Sequence, residues 1–265
     1  MNEVLVVGAG ITGGYIAARL FEHGLGVELL ARGEPAVRLA REGLRLRDGI
    51  TGEAKTVRLP IVSEASVVSG ARAYTLVLVC VQEQQRVTAA ELVSQLQGRP
   101  FHSLVIGEAW PEGGEACRRA QEIIGSAGFR VKRYQPILPW QLCHAVLVLP
   151  LAGLFYRHGG VLSAAASDRQ GLEKVVRAVA QGLRGLQRLG YPLRPRWMLL
   201  MAISPTWIGV RQLNALLGSH FAEIALAGHG EAAREEVRSM ARGLLHLLED
   251  AEGDALREML GAAAE

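Results

Sequence analysis

The stretch that most constrains this chain is Val4-Leu-Val-Val-Gly-Ala-Gly-Ile-Thr-Gly-Gly14. A short apolar run leads directly into Gly8-x-Gly10-x-x-Gly13, and a helical pattern from Tyr15 to Phe21 follows at once. Each glycine has its own physical task. Gly8 lets the chain turn sharply off a strand, Gly10 lets backbone approach a pyrophosphate with no Cβ between them, and Gly13 lets the helix pack close to the sheet. A diphosphate would then sit on the free N–H groups of Ile11, Thr12 and Gly13, at the positive end of the helix. The reading is a dinucleotide-binding βαβ unit. A purely structural glycine turn is the alternative.

Gly26-Val-Glu-Leu-Leu-Ala31 reads as the second strand of that unit. An acid that grips an adenosine ribose 2′-OH belongs at its tip, about 20 residues past the glycines. The tip instead carries Ala31-Arg32-Gly33, and Glu28 lies several residues too early. A guanidinium offers a bidentate, charged fork for a 2′-phosphate. NADP(H) is therefore the expected cofactor with Arg32 as its contact, although a solvated loop arginine is the plainer reading of that residue.

Strand and helix patterns alternate to about residue 134: a helix over 35–43, an antiparallel pair around Asp48-Gly49, and a buried strand over Tyr74–Val81. A helix near 88–97, a strand over 102–106, a helix over 112–127 and a strand over 128–134 complete the series. From Pro136 onward the pattern predicts helices only, near 139–157, 168–189, 195–217 and 231–249. The expected architecture is α/β: a Rossmann-type doubly wound parallel sheet over residues 1–135, then an all-α C-terminal domain over 136–265. Leu142–Tyr156 and Trp197–Val210 are unusually apolar and are predicted to be buried. His144 and Pro150 interrupt the first, whose apolar run falls short of a membrane span.

Charge and cysteine usage narrow the class. A net charge of +3 with acids among the arginines argues against a nucleic-acid groove. Cys80, Cys117 and Cys143 are widely spaced without a CxxC pair, as expected of a reducing cytoplasm and no structural zinc. No signal peptide is visible at the N-terminus.

The first third of the chain resembles the ketopantoate reductase (2-dehydropantoate 2-reductase) family. The residues that carry the resemblance are Gly8-Ala-Gly-Ile-Thr-Gly-Gly-Tyr-Ile-Ala-Ala-Arg-Leu20, Leu29-Leu-Ala-Arg-Gly-Glu34, Gly43-Leu-Arg-Leu-Arg-Asp48 and the strand ending Val79-Cys-Val81. The resemblance implies hydride transfer, NADP(H) bound through the glycines, Arg32, Val81 and Gln82, and a small 2-oxo acid-like substrate in an interdomain cleft. It also exposes what is missing. The family has a lysine after the central strand, where this chain has Gln82. Its catalytic lysine lies on the first C-terminal helix, in a Lys-x-x-x-Asn-Ala-x-x-Asn-Pro pattern. With Pro150 on the family's proline, Gln141 stands at that lysine and Ala145 and Leu149 at the asparagines. The chain's three lysines, Lys55, Lys132 and Lys174, match neither position.

Candidate catalytic residues are therefore His144, Gln82, Gln141 and Glu223, the last in what resembles the family's Glu-Ile-Asp element. His158 and Arg157 are secondary candidates that also fit a solvated helix end, and His144 equally fits a core histidine. Two functions stand side by side: an NADP(H)-dependent oxidoreductase, and a non-catalytic NADP(H)-binding homologue. A homodimer through the apolar C-terminal helices is the expected assembly, with no nucleic-acid or membrane partner.

Overall fold

The structure is a computed structural model. It describes residues 4–47, 53–69, 74–81, 103–104, 114–126, 128–129, 131–218, 234–248 and 253–264, and the chain divides into two compact units, Met1–Ile137 and Leu138–Glu265.

The first unit is built on strands whose residues are apolar on both faces. β1 (Val4–Val7), β2 (Val27–Leu30) and β6 (Leu76–Val79) are buried along almost their whole length, as parallel strands covered on two sides must be. With β5 (Ile61–Val62) and β7 (Ser103–Leu104) they form one sheet in the order β5-β2-β1-β6-β7, and every pairing in it is parallel. One face packs against α1 (Ile11–Glu22) and α4 (Gly114–Ser126), through Val4, Val6, Leu29 and Leu78 against Ala17, Leu20, Ala120 and Ile124. The other face carries Leu5, Val7, Leu30 and Val77 against Val67 of α3 (Glu64–Ser69). Burying each such side chain contributes roughly 1.5–3 kcal/mol. Helices on both faces make the sheet doubly wound, as the sequence predicts. α2 (Gly33–Glu42) follows β2, and an antiparallel pair, β3 (Leu44–Arg47) with β4 (Ala54–Val57), comes next.

Glu28 is the one charged residue of this sheet, and it is 1% exposed. The Tyr74 hydroxyl donates to its carboxylate inside the sheet. It belongs to the packing of β2 and not to the tip of that strand.

Residues 128–134 correct an expectation, because those described form no strand. Phe129 meets the Tyr15 ring edge-on at 5.9 Å, and the Val131 carbonyl accepts from Gln121 of α4 at 3.3 Å. The alternating pattern serves an extended segment lying on α1 and α4, which needs the same period as a strand. The helix expected at 88–97 lies outside the described residues.

The second unit is helical. Its centre is α5 (Leu138–Arg157), in which ten residues from Pro139 to Phe155 are buried. α6 (Leu162–Ser167), α7 (Arg169–Arg188), α8 (Met198–Ile203), α9 (Thr206–Leu217), α10 (Arg234–Leu247) and α11 (Asp254–Ala264) complete the described elements. The core joins Cys143, Val146 and Leu154 of α5 to Leu172, Val179 and Leu183 of α7 and to Leu256, Met259 and Leu260 of α11. Gly153 permits the closest approach: a Cβ there would lie 2.2 Å from the Met259 carbonyl oxygen. α5 is long and apolar enough to cross a membrane by length and composition, with a mean hydropathy of 1.6. Here it is the core helix of the bundle.

The second apolar segment is less fully covered within one chain. Ser204-Pro205 splits it into α8 and α9, since proline cannot continue the helix. Trp197, Leu200, Ile203 and Trp207 are exposed, Ile203 by 78% and Trp207 by 68%. Hydropathy alone did not foretell which of the two segments is covered.

Candidate dinucleotide site and the exposed face of α5

In the first unit the strand order reverses on either side of β1, with β2 to one side and β6 to the other. A crevice for ligands lies outside the carboxyl ends of strands at such a reversal. The three glycines sit there. Gly8 follows β1 with φ +105°, donates its N–H to the Leu30 carbonyl, and has room for no side chain: a Cβ would lie 2.3 Å from the Cys80 carbonyl oxygen. Gly13 is equally closed, since its Cβ would lie 2.0 Å from the Gly8 carbonyl oxygen. Gly10 is different. A Cβ there would meet nothing within 4 Å, and its φ of −69° suits any residue.

Packing therefore explains Gly8 and Gly13 and leaves Gly10 unexplained. Close approach of a ligand to the backbone explains it, and the residues fit a pyrophosphate. Gly10 is the N-cap of α1 and brings no side chain to the free N–H groups of the first turn, where Ile11 and Thr12 are exposed. A helix start of this kind binds anions.

The neighbouring residues frame the same edge. Val81 follows β6 beside Gly8, its Cγ1 3.1 Å from the position a Gly8 Cβ would take. Cys80 is no nucleophile, because burial pushes its thiol up to about 11. Arg32 caps α2 at the end of β2 and forms an ion pair with Glu64, the first residue of α3. No feature of β2 itself announces that acid, because it arrives on the neighbouring strand. Gln82 lies outside the described residues.

In the second unit Gln141 and His144 occur together on α5, one turn apart and both exposed, while Cys143 and Val146 point into the core. His144 is thus not a core histidine. Its ring stacks on that of Trp140, with centroids 5.1 Å apart and planes 7° from parallel. Partial burial of the ring, which disfavours its charged form, holds its pKa below the ordinary 6.5. Leu149 is buried and Ala145 partly so.

Arg157 and His158 do structural work. Arg157 donates twice to one Glu258 oxygen at 3.1 Å, and Lys174 joins the same carboxylate at 2.7 Å. His158 lies 3.0 Å from Asp168, whose other oxygen accepts from the Gly171 N–H at the start of α7. That N–H first, and His158 second, hold the Asp168 carboxyl below its usual range. Glu223 lies outside the described residues.

A family model for ketopantoate reductase PanE/ApbA matches residues 4–106. The match lies wholly within the N-terminal unit and covers less than half of the chain, so it makes that unit similar to the family. A search of the curated proteins gave no match. Among solved structures the chain is similar to 2-dehydropantoate 2-reductase from Geobacter metallireducens GS-15, at 15% identity and a TM-score of 0.70, covering 98% of this chain and 97% of that one. It is similar to a PanE/ApbA family ketopantoate reductase from Ralstonia eutropha JMP134, at 16% identity and a TM-score of 0.69, covering 98% and 97%. A D-mandelate dehydrogenase solved with NADH and anilino(oxo)acetate is similar at 11% identity and a TM-score of 0.68, covering 99% and 98%. At such identities these structures establish a shared fold alone, a Rossmann-type parallel sheet followed by helices. Function must come from the site.

Proposed function

We propose that this ketopantoate reductase-like protein is an NADP(H)-dependent oxidoreductase that transfers hydride to a small carbonyl compound of the 2-oxo acid type. The observation that carries the reading is Gly10: the one glycine of the three that packing does not require, placed at the N-terminus of α1 where the sheet order reverses. Gly8, Gly10, Ile11, Thr12, Gly13 and Val81 would hold the dinucleotide, with Arg32 toward a 2′-phosphate. The bound nicotinamide would supply the hydride.

This chain's own residues must then handle a proton at the substrate oxygen, an effect typically supplying 10²–10⁴-fold. His144 suits that task. Its lowered pKa keeps the imidazole neutral at neutral pH, ready to take a proton from a hydroxyl. In the reverse direction the imidazolium returns it, so carbonyl reduction should quicken as pH falls below 6.5. Gln141, at the family's lysine position, donates a hydrogen bond but no charge. Gln82 and Glu223 are further candidates by the same resemblance.

Gln141 also favours a second reading, a homologue that keeps the cofactor and has lost the chemistry. NADPH with a panel of 2-oxo acids and imines, followed at the nicotinamide absorbance, separates the two. We expect turnover of a member of the panel and little or none with ketopantoate itself. NADPH binding with no turnover of any member supports the second reading.

We also propose a homodimer in the cytoplasm. Exposed Trp197, Leu200, Ile203 and Trp207 support association of two copies, and three free cysteines suit a reducing compartment. Light scattering at micromolar protein should give twice the chain mass, and a monomeric mass refutes the dimer.

A further inference from the structure

Arg32 does not stand alone at the end of β2. β5 runs parallel to β2 with Leu29 opposite Ile61 and Leu30 opposite Val62, and the Ala31 N–H donates to the Val62 carbonyl at 3.3 Å. Carried two residues further, that register sets Arg32 abreast of Glu64, and the two side chains form an ion pair. The backbone of Glu64 is fixed at the start of α3 by a reciprocal cap: Ser66 N–H donates to Ser63 Oγ at 3.3 Å and Ser63 N–H to Ser66 Oγ at 3.2 Å. Both charged side chains remain open to a ligand, with 49% of Arg32 and 42% of Glu64 exposed.

Their chemistries are opposed at one position. A guanidinium suits the 2′-phosphate of NADPH, whereas a carboxylate accepts from ribose hydroxyls and repels a phosphate. We propose that Glu64 determines the nucleotide preference of this protein, by occupying Arg32 when the ribose carries a free 2′-OH and by opposing a 2′-phosphate that competes for it. The pair narrows the preference for NADPH over NADH without reversing it. This rests on the dinucleotide reading above.

The ion pair is half exposed and screened by solvent, so the expected effects are moderate. NADPH and NADH are titrated separately into wild-type, Glu64→Gln and Arg32→Ala full-length protein, with binding read from nicotinamide fluorescence and folding from circular dichroism. Wild type should bind both nucleotides with affinities within about tenfold of each other. Glu64→Gln should tighten NADPH by about tenfold, the order expected from an exposed ion pair and a screened like-charge repulsion at a few ångströms. It should leave NADH unchanged or weaker. Arg32→Ala should weaken NADPH alone. A folded Glu64→Gln protein with wild-type affinities, or with both affinities changed by one factor, overturns the proposal. So does a wild type that binds NADPH and not NADH. A folded wild type that binds neither nucleotide overturns the dinucleotide reading itself, and this proposal with it.

Discussion

Glycine is used in opposite ways at the start of α1 and in the middle of α5. At Gly10 a side chain would meet only open space, so the residue matters for what approaches from outside. At Gly153 a side chain would strike the backbone of α11, so the residue matters for what the fold itself brings close. The contrast teaches how to divide the two units. In the first, the glycine on which the proposed function rests can be changed without a clash in the packing. In the second, the packing is dense, and among the described residues the candidates Gln141 and His144 lie on an exposed face of α5.

The largest effect that tests this contrast is Gly10→Val, which should abolish binding of either nucleotide while costing the fold no more than a weakened helix cap, about 1 kcal/mol. Retained binding would make the loop structural and erase the difference between Gly10 and its neighbours. Gly13→Val, by comparison, should lose fold and binding together. Next comes Gly153→Val. It should destabilise the second unit by about 1–3 kcal/mol, as overpacking does, measured as a lower midpoint in urea. An unchanged midpoint would mean that α5 and α11 can part without penalty.

The smallest effect concerns His144 and sharpens the comparison at the exposed face. Its folded pKa lies below 6.5, so the unfolded chain takes up the proton first on acidification. From about a pH unit above 6.5 upward the group contributes no pH dependence. As pH falls from there through the folded pKa, stability should decline by the amount that loss of hydration in the fold disfavours the imidazolium. His144→Ala should remove that part of the decline, measured as urea midpoints at pH 7.5 and 5. Identical pH dependence in the two proteins would show that the ring is as hydrated in the fold as in the unfolded chain.

Much of the first unit was legible in the sequence because its constraints fall on single residues. Gly8 and Gly13 are needed for steric reasons that no other residue satisfies, and the unbroken apolar run before Cys80 can only be a strand covered on both faces. Glu64 was not legible. Its position depends on the pairing of β5, and two residues are too few to show a period. The segment 128–134 misled because alternation describes any extended chain with one covered face. In the second unit the helical character of α5 was evident from its length and apolarity, but whether His144 faced core or solvent was not. Neighbouring residues on an apolar helix can differ completely in burial, as Cys143 and His144 do. α11 was not expected from the sequence, although Leu256, Met259, Leu260 and Ala263 form its buried face.

The two-residue pairing of β5 with β2 has a consequence for how such a protein can diverge. Which residue stands beside Arg32 depends on where β5 starts, and that start follows the linker Arg58–Pro60 after β4. Loss or gain of one residue in that linker would slide the strand and bring Ala65 or Ser63 abreast of Arg32 in place of Glu64. A change of length in this three-residue connection, which also carries the buried Leu59, would thus replace the acid beside Arg32 while leaving Arg32 itself in place.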